Sequence, residues 1–150
     1  LEINSLSHLR LIEIFEDLAL SNNLNKCNSK EVWVNTSEAE IQIALSPVYE
    51  ITKRLTGELV SLKKSNLLMK KRNSFIIKKL ILGPFKSKLN PQGIMSPECV
   101  ARKIIKKAET DAYLIIVTPN PITYFLMPFI ELFRILYSRF IKKIYSGKFF

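Results

Sequence analysis

Val32-Trp33-Val34-Asn35-Thr36-Ser37, followed after Glu38–Leu45 by Ser46-Pro47-Val48-Tyr49-Glu50-Ile51-Thr52-Lys53, is the stretch that decides the fold. Its first part is short, aromatic and β-branched and closes on small polar residues, which reads as a strand buried on both faces. Ser46 before Pro47 marks a helix start, with Ser at the N-cap and Pro in the first turn. The helix predicted from that point runs through Tyr49 to about Leu68. A strand that leads straight into a helix is the first half of a crossover unit, so its neighbours should repeat the pattern.

They do. Upstream, residues 3–20 place Ile3, Leu6, Leu9, Ile12, Phe15 and Leu18 at steps of three, with Leu11 and Ile14 widening an apolar helical stripe. Residues 21–30 are a polar turn cluster. Downstream, Lys70-Lys71-Arg72-Asn73 breaks the helix and a second strand follows at Phe75–Leu82, closed by Gly83-Pro84. Ser96-Pro97-Glu98 opens a helix to about Ala108; Tyr113–Val117 is a third strand, stopped by Pro119 and Pro121. Alternating helices and strands predict an α/β fold with a parallel sheet covered on both faces. About three strands is few for such a sheet. The expected architecture is therefore the C-terminal half of a Rossmann-like doubly wound sheet, with the N-terminal strands missing. Residues 1–121 read as this partial domain and residues 122–150 as an amphipathic helical tail.

Composition sets limits. With 47% hydrophobic residues in 150, the chain has enough apolar material for one core. The net charge of +10 comes mainly from lysines spread over many segments, which we read as solvated faces rather than a nucleic-acid site. Cys27 and Cys99 share no CxxC spacing, and His8 lacks ligand-like neighbours, so no metal site is expected. His8 reads as an exposed helix position. The opening Leu1-Glu2-Ile3-Asn4 has neither a basic nor an apolar leader region, and the expected location is cytoplasmic.

Tyr49 and Lys53 stand at i and i+4, so both side chains leave one face of the same helix. An ordinary tyrosine is a poor acid–base group at neutral pH, but a nearby ammonium favours its phenolate. Such a tyrosine could pass a proton to or from a substrate oxygen, with a serine hydroxyl holding the same oxygen. Taken alone, the pair would equally describe a half-buried tyrosine with a snorkelling lysine.

Together with its surroundings the pair resembles the short-chain dehydrogenase/reductase family, most closely a cyanobacterial subgroup of it. In that family a strand ends in paired serines, and Tyr-x-x-Ser-Lys follows; here Thr52 stands at the serine of that motif. The resemblance implies Tyr49 as acid–base, Lys53 as the cation that lowers its pKa and holds the cofactor ribose, and a serine that positions the substrate oxygen. Ser37 aligns best with that serine, although strict spacing selects Thr36. Asn4, in Ile3-Asn4-Ser5-Leu6-Ser7, matches the asparagine that organises a proton-relay water. In Leu82-Gly83-Pro84-Phe85-Lys86-Ser87, Gly83 and Ser87 keep the spacing of the cofactor-contacting glycine and threonine, but the proline that precedes the glycine in the family follows it here. That departure bears on the cofactor contact.

The implied activity is NAD- or NADP-dependent oxidation or reduction of a carbonyl or secondary alcohol on a small, apolar substrate. No Gly-x-x-x-Gly-x-Gly or Gly-x-Gly-x-x-Gly occurs among the four glycines. The resemblance places the turn that grips the pyrophosphate before Leu1. The competing reading is a non-catalytic remnant or a basic, membrane-surface or interaction module.

In the tail, Glu131, Arg134, Ser138 and Lys142 form a polar stripe opposite Phe125, Phe129, Phe133, Leu136 and Phe140. Two roles follow: covering the substrate cleft or pairing in a homo-oligomer, or lying in a membrane interface with Arg139, Lys142, Lys143 and Lys148 on anionic headgroups. Glu131 and Arg134 interrupt any bilayer-spanning run.

Overall fold

The computed structural model describes residues 5–21, 30–44, 46–69, 75–88 and 90–144. In chain order these form α1 (Ser7–Ser21), β1 (Lys30–Ser37), a 3₁₀ turn (Glu38–Glu40), α2 (Pro47–Met69), β2 (Phe75–Leu82), α3 (Pro97–Ala108), β3 (Leu114–Val117) and α4 (Pro121–Ile144). The three strands make one parallel sheet in the order β1-β2-β3. The alternation read from the sequence is the α/β fold observed, a three-strand parallel sheet flanked by helices and consistent with a Rossmann-like half.

Side-chain alternation divides the helices between the two faces. On one face Ile12 and Ala19 of α1, Val34 of β1, Val60 and Leu67 of α2, and Phe75 and Ile77 of β2 form one cluster. Ile81, Ile116 and Met127 continue this face beneath α4. On the other face Leu80, Leu82, Ile115 and Val117 pack against Val100 and Ala108 of α3. α3 is bounded as its sequence predicts: the Ser96 side chain accepts from the Cys99 amide, Pro97 opens the helix, and Lys106 and Lys107 lie in its last turn.

Three expectations need correction. β1 is not buried on both faces: Trp33 is 44% exposed, and Glu31 and Asn35 point the same way. It lies at one edge of the described sheet, and α3 covers the other strands instead. His8 is half-buried rather than exposed. Lysines are not confined to solvated faces, because Lys78 and Lys79 are buried in the central strand. Lys78 survives there by donating to the Ala108 carbonyl at 2.5 Å and pairing with Glu31 at 2.9 Å, just beyond the covered region. Lys79 has a more elaborate setting.

The Lys79 ammonium lies 3.0 Å from Glu40 Oε2, 2.8 Å from Glu131 Oε2, 3.1 Å from the Gly57 carbonyl and 3.2 Å from Ser61 Oγ. Arg134 closes the cluster, 2.6 Å from Glu40 and 2.7 Å from Glu58. The Tyr113 hydroxyl donates to the other oxygen of Glu131 at 2.8 Å. Burial, together with the charge and hydrogen bond of Glu131, pushes the Tyr113 phenol well above its ordinary range. Burial works against the Arg134 cation, but the hydrogen bond and charge of Glu40 outweigh it and raise its pKa. Gly57 is what lets this cluster form: a Cβ there would sit 1.9 Å from Glu40 Oε2.

The cluster also joins distant elements. Glu40 comes from the β1–α2 connection, Lys79 from β2, and Glu131 and Arg134 from α4. α4 therefore turns its polar stripe inward against α2 and the sheet.

Candidate functional site

In a parallel α/β sheet, ligands bind beyond the carboxyl ends of the strands. β1 ends at Ser37, which pairs in register with Leu82, and Gly83 follows directly. α2 starts at this same end, with the Ser46 hydroxyl accepting from the Tyr49 amide at 3.4 Å, so the first turn presents Tyr49 and Lys53 stands one turn on. The Lys53 ammonium lies 5.5 Å from the centroid of the Tyr49 ring. Tyr49 keeps part of its surface in solvent. Burial lowers the Lys53 pKa, and the charge of Glu40 partly opposes this. A buried glutamate at the β1–α2 connection thus links the ion cluster electrostatically to the Tyr-Lys pair.

The two candidates for the serine role have different surroundings. Thr36 is buried and donates to the Leu80 carbonyl at 3.0 Å. Ser37 is half-buried at the strand end, where its oxygen accepts from the Ala39 amide at 3.2 Å. Its own proton has no acceptor among the described residues, so it is able to donate to a substrate oxygen. Thr52 is buried and donates to the Tyr49 carbonyl at 2.7 Å, a bond internal to α2. Ser5 anchors α1 on this turn by donating to the Thr52 carbonyl at 2.9 Å. Asn4, one residue earlier, lies outside the described residues.

Gly83 and Ser87 sit in the loop after β2. The Gly83 amide donates to the Val117 carbonyl at 2.9 Å, and a Cβ there would meet Thr118 Oγ1 at 2.4 Å. The chain itself, crossing at Thr118-Pro119, fills the space that the missing side chain opens. Ser87 is exposed in a tight turn, where its oxygen accepts from the Asn90 amide at 3.0 Å. The β3–α4 junction is tied to the same edge, with Thr118 donating to Glu38 at 2.5 Å and Gln42 to Thr123 at 2.8 Å.

A nicotinamide cofactor is therefore matched in part. Lys53 and Tyr49 stand together at the strand ends, where a ribose hydroxyl could be held. Among the described residues no glycine-rich turn offers its amides to a pyrophosphate, and no His/Cys/Asp/Glu group has the makings of a metal site. What sequence reasoning missed is Glu40 and its cluster. Two signals pointed to it: the Lys78-Lys79 pair inside an otherwise apolar strand, and Gly57 in mid-helix.

Fold and strand-end residues together define an α/β unit with a Tyr-Lys pair over the carboxyl edge of a parallel sheet. Over 143 residues, 95% of its length, the chain is 50% identical to the monoglucosyldiacylglycerol epimerase of Synechocystis sp.. It spans 33% of the length of that curated relative. No family model and no solved structure matches the chain.

Proposed function

We propose that this chain is the proton-transfer part of a nicotinamide-dependent active site of short-chain dehydrogenase/reductase type, inverting a carbinol centre in the sugar of a glycolipid. The observation that carries the reading is the half-exposed Tyr49 beside a partly buried Lys53 on the first turns of α2, at the end of the sheet where Ser37 and Gly83 lie. The kinship to an epimerase named for a glucosyl lipid supports the substrate class.

In this reading Ser37 donates to the substrate oxygen and fixes it beside the Tyr49 phenol. Tyr49 takes the carbinol proton as the carbon is oxidised and gives it back on reduction, so the protein ends the cycle unchanged. A nicotinamide group, when bound, would supply the hydride chemistry, with return to the opposite face of the carbonyl giving the inverted centre. Lys53 stabilises the phenolate by its charge and would hold the nicotinamide ribose.

The test is a chimera in which this chain replaces the corresponding third of the Synechocystis epimerase. The chimera is expected to epimerise monoglucosyldiacylglycerol, with Tyr49→Phe and Lys53→Met each lowering kcat at least ~100-fold, the scale of general acid–base catalysis. Undiminished turnover by folded Tyr49→Phe would refute the reading.

A further inference from the structure

Helices that cover a water-facing core place their apolar stripe inward. α4 does the reverse. Thr123, Met127 and Glu131 face the interior, with Arg134 pairing beside them, whereas Phe125, Phe129, Phe133, Leu136 and Phe140 are 52–71% exposed. At about 1.5 Å per residue this outward stripe, from Phe125 to Phe140, runs for about 23 Å along the 24-residue helix. Beside it, Leu59 and Leu62 of α2 with Phe129, Phe133 and Leu136 line a largely apolar groove of about 860 Å³, which Glu58 also borders. Continuous apolar surface of this extent marks a docking site.

We propose that the outward face of α4 and this groove lie in the headgroup–acyl boundary of a bilayer containing anionic lipid. Charge selects this occupant. Arg134 is held inward by Glu40 and Glu58 and Lys142 reaches Asn66, which leaves Arg139 and the exposed Lys143 on α4 against a single acid, Glu131, which is buried on Lys79. Thus no carboxylate of the helix faces outward, while the exposed Lys143 lies at its end, as in interfacial helices that seat aromatic residues among acyl chains and cations on headgroups. A second copy of a chain of charge +10 would bring these basic ends toward a like surface. Among the described residues no helix is long and apolar enough to cross a membrane, so the geometry is that of a helix lying along the surface. The polar stripe explains why this is stable: Glu131 and Arg134 fasten the helix to the sheet, which leaves the aromatic side outward. The inference rests on α4 and the groove beside it and stands whether or not the chain belongs to an epimerase.

The experiment uses the purified chain carrying Trp33→Phe and Phe133→Trp, so that α4 holds its one tryptophan. With vesicles of phosphatidylcholine and phosphatidylglycerol, emission is expected to shift to the blue and to be quenched by brominated acyl chains. Binding should weaken on vesicles of phosphatidylcholine alone and at high salt. Replacing Phe125, Phe129 and Phe140 by Ser is expected to weaken partitioning at least ~10-fold, with circular dichroism checking that the fold is retained. Lys143→Glu, at an exposed position, should reduce the preference for anionic vesicles in a chain that keeps its aromatic stripe. Absence of quenching on anionic vesicles would overturn the proposal. So would a dimer in sedimentation whose tryptophan emission is already shielded without lipid.

Discussion

Lys79→Met is the most informative perturbation of this fold. The ammonium is fully buried and shares Glu40 with Arg134, so the cluster holds two cations, Lys79 and Arg134, against two buried carboxylates, Glu40 and Glu131. Methionine nearly conserves volume, which leaves the electrostatic change as the main cost. Removing the cation strands one buried carboxylate without its counter-charge and takes hydrogen bonds from Gly57 and Ser61. Breaking a buried pair in this way costs about 3–5 kcal/mol. At a urea dependence of about 2 kcal/mol per molar, the midpoint should fall by about 2 M, a large share of a stability that is typically about 5–15 kcal/mol. The assay is urea unfolding followed by circular dichroism for the parent, Lys79→Met, Glu131→Gln and the double variant. In the double variant, the amide oxygen introduced by Glu131→Gln still accepts from Tyr113 while one charge of each sign has gone, so it should be no less stable than Lys79→Met. The coupling between the two sites is then at least ~1 kcal/mol. Strictly additive losses, or a Lys79→Met loss below ~1 kcal/mol, would refute the view that these charges are balanced as a buried set.

Gly57→Ala should destabilise although alanine is the better helix former by about 1 kcal/mol: the new methyl meets the Glu40 carboxylate, which Lys79 and Arg134 hold in place. Thermal melts of Gly57→Ala and Gly57→Ala/Glu40→Ala measure this, and a melt of Gly57→Ala at or above that of the parent would contradict it. Tyr113, its phenol raised by burial and by Glu131, should stay protonated in the folded chain beyond the pH at which a free tyrosine ionises. Its unfolded form loses a proton above about pH 10, so stability should fall as pH rises beyond that point. Absorbance at the phenolate band, compared between parent and Tyr113→Phe, reads this out. Lys53 has the opposite sign: its folded pKa lies below its unfolded one, so stability should grow as pH climbs through the folded value toward about 10.4. An NMR titration should find the Lys53 side chain deprotonating below the ordinary lysine value.

Much of the architecture is legible in local pattern. β2 (Phe75–Leu82) and the cap of α3 at Ser96-Pro97 fall where their residues predict, because apolar runs and capping side chains act over a few positions. The Tyr-Lys spacing on α2 is equally local. Other features are not. Trp33 reads as core from its type, but among the described residues no helix covers that side of β1, and it is exposed. Thr36 and Ser37 are near-equivalent as letters; the pleat of β1 sends one into the interior onto Leu80 and keeps the other at the strand end.

α4 marks the boundary between the two kinds of information. The sequence by itself determined that residues from Ile122 read as a two-sided helix, polar on one side and aromatic on the other, as Pro121–Ile144 show, since a period of 3.6 residues is a local property. It could not say which side faces inward. That depended on Lys79 being placed beneath α4 by the parallel pairing of β2, and on Glu40 reaching the same point over Gly57. A buried cation requires counter-charges, so the polar stripe turned to the sheet and the aromatic stripe was left outside. The Tyr49-Lys53 pair, by contrast, was set by spacing along one helix; tertiary structure added the strand ends beneath it and the buried carboxylate behind it.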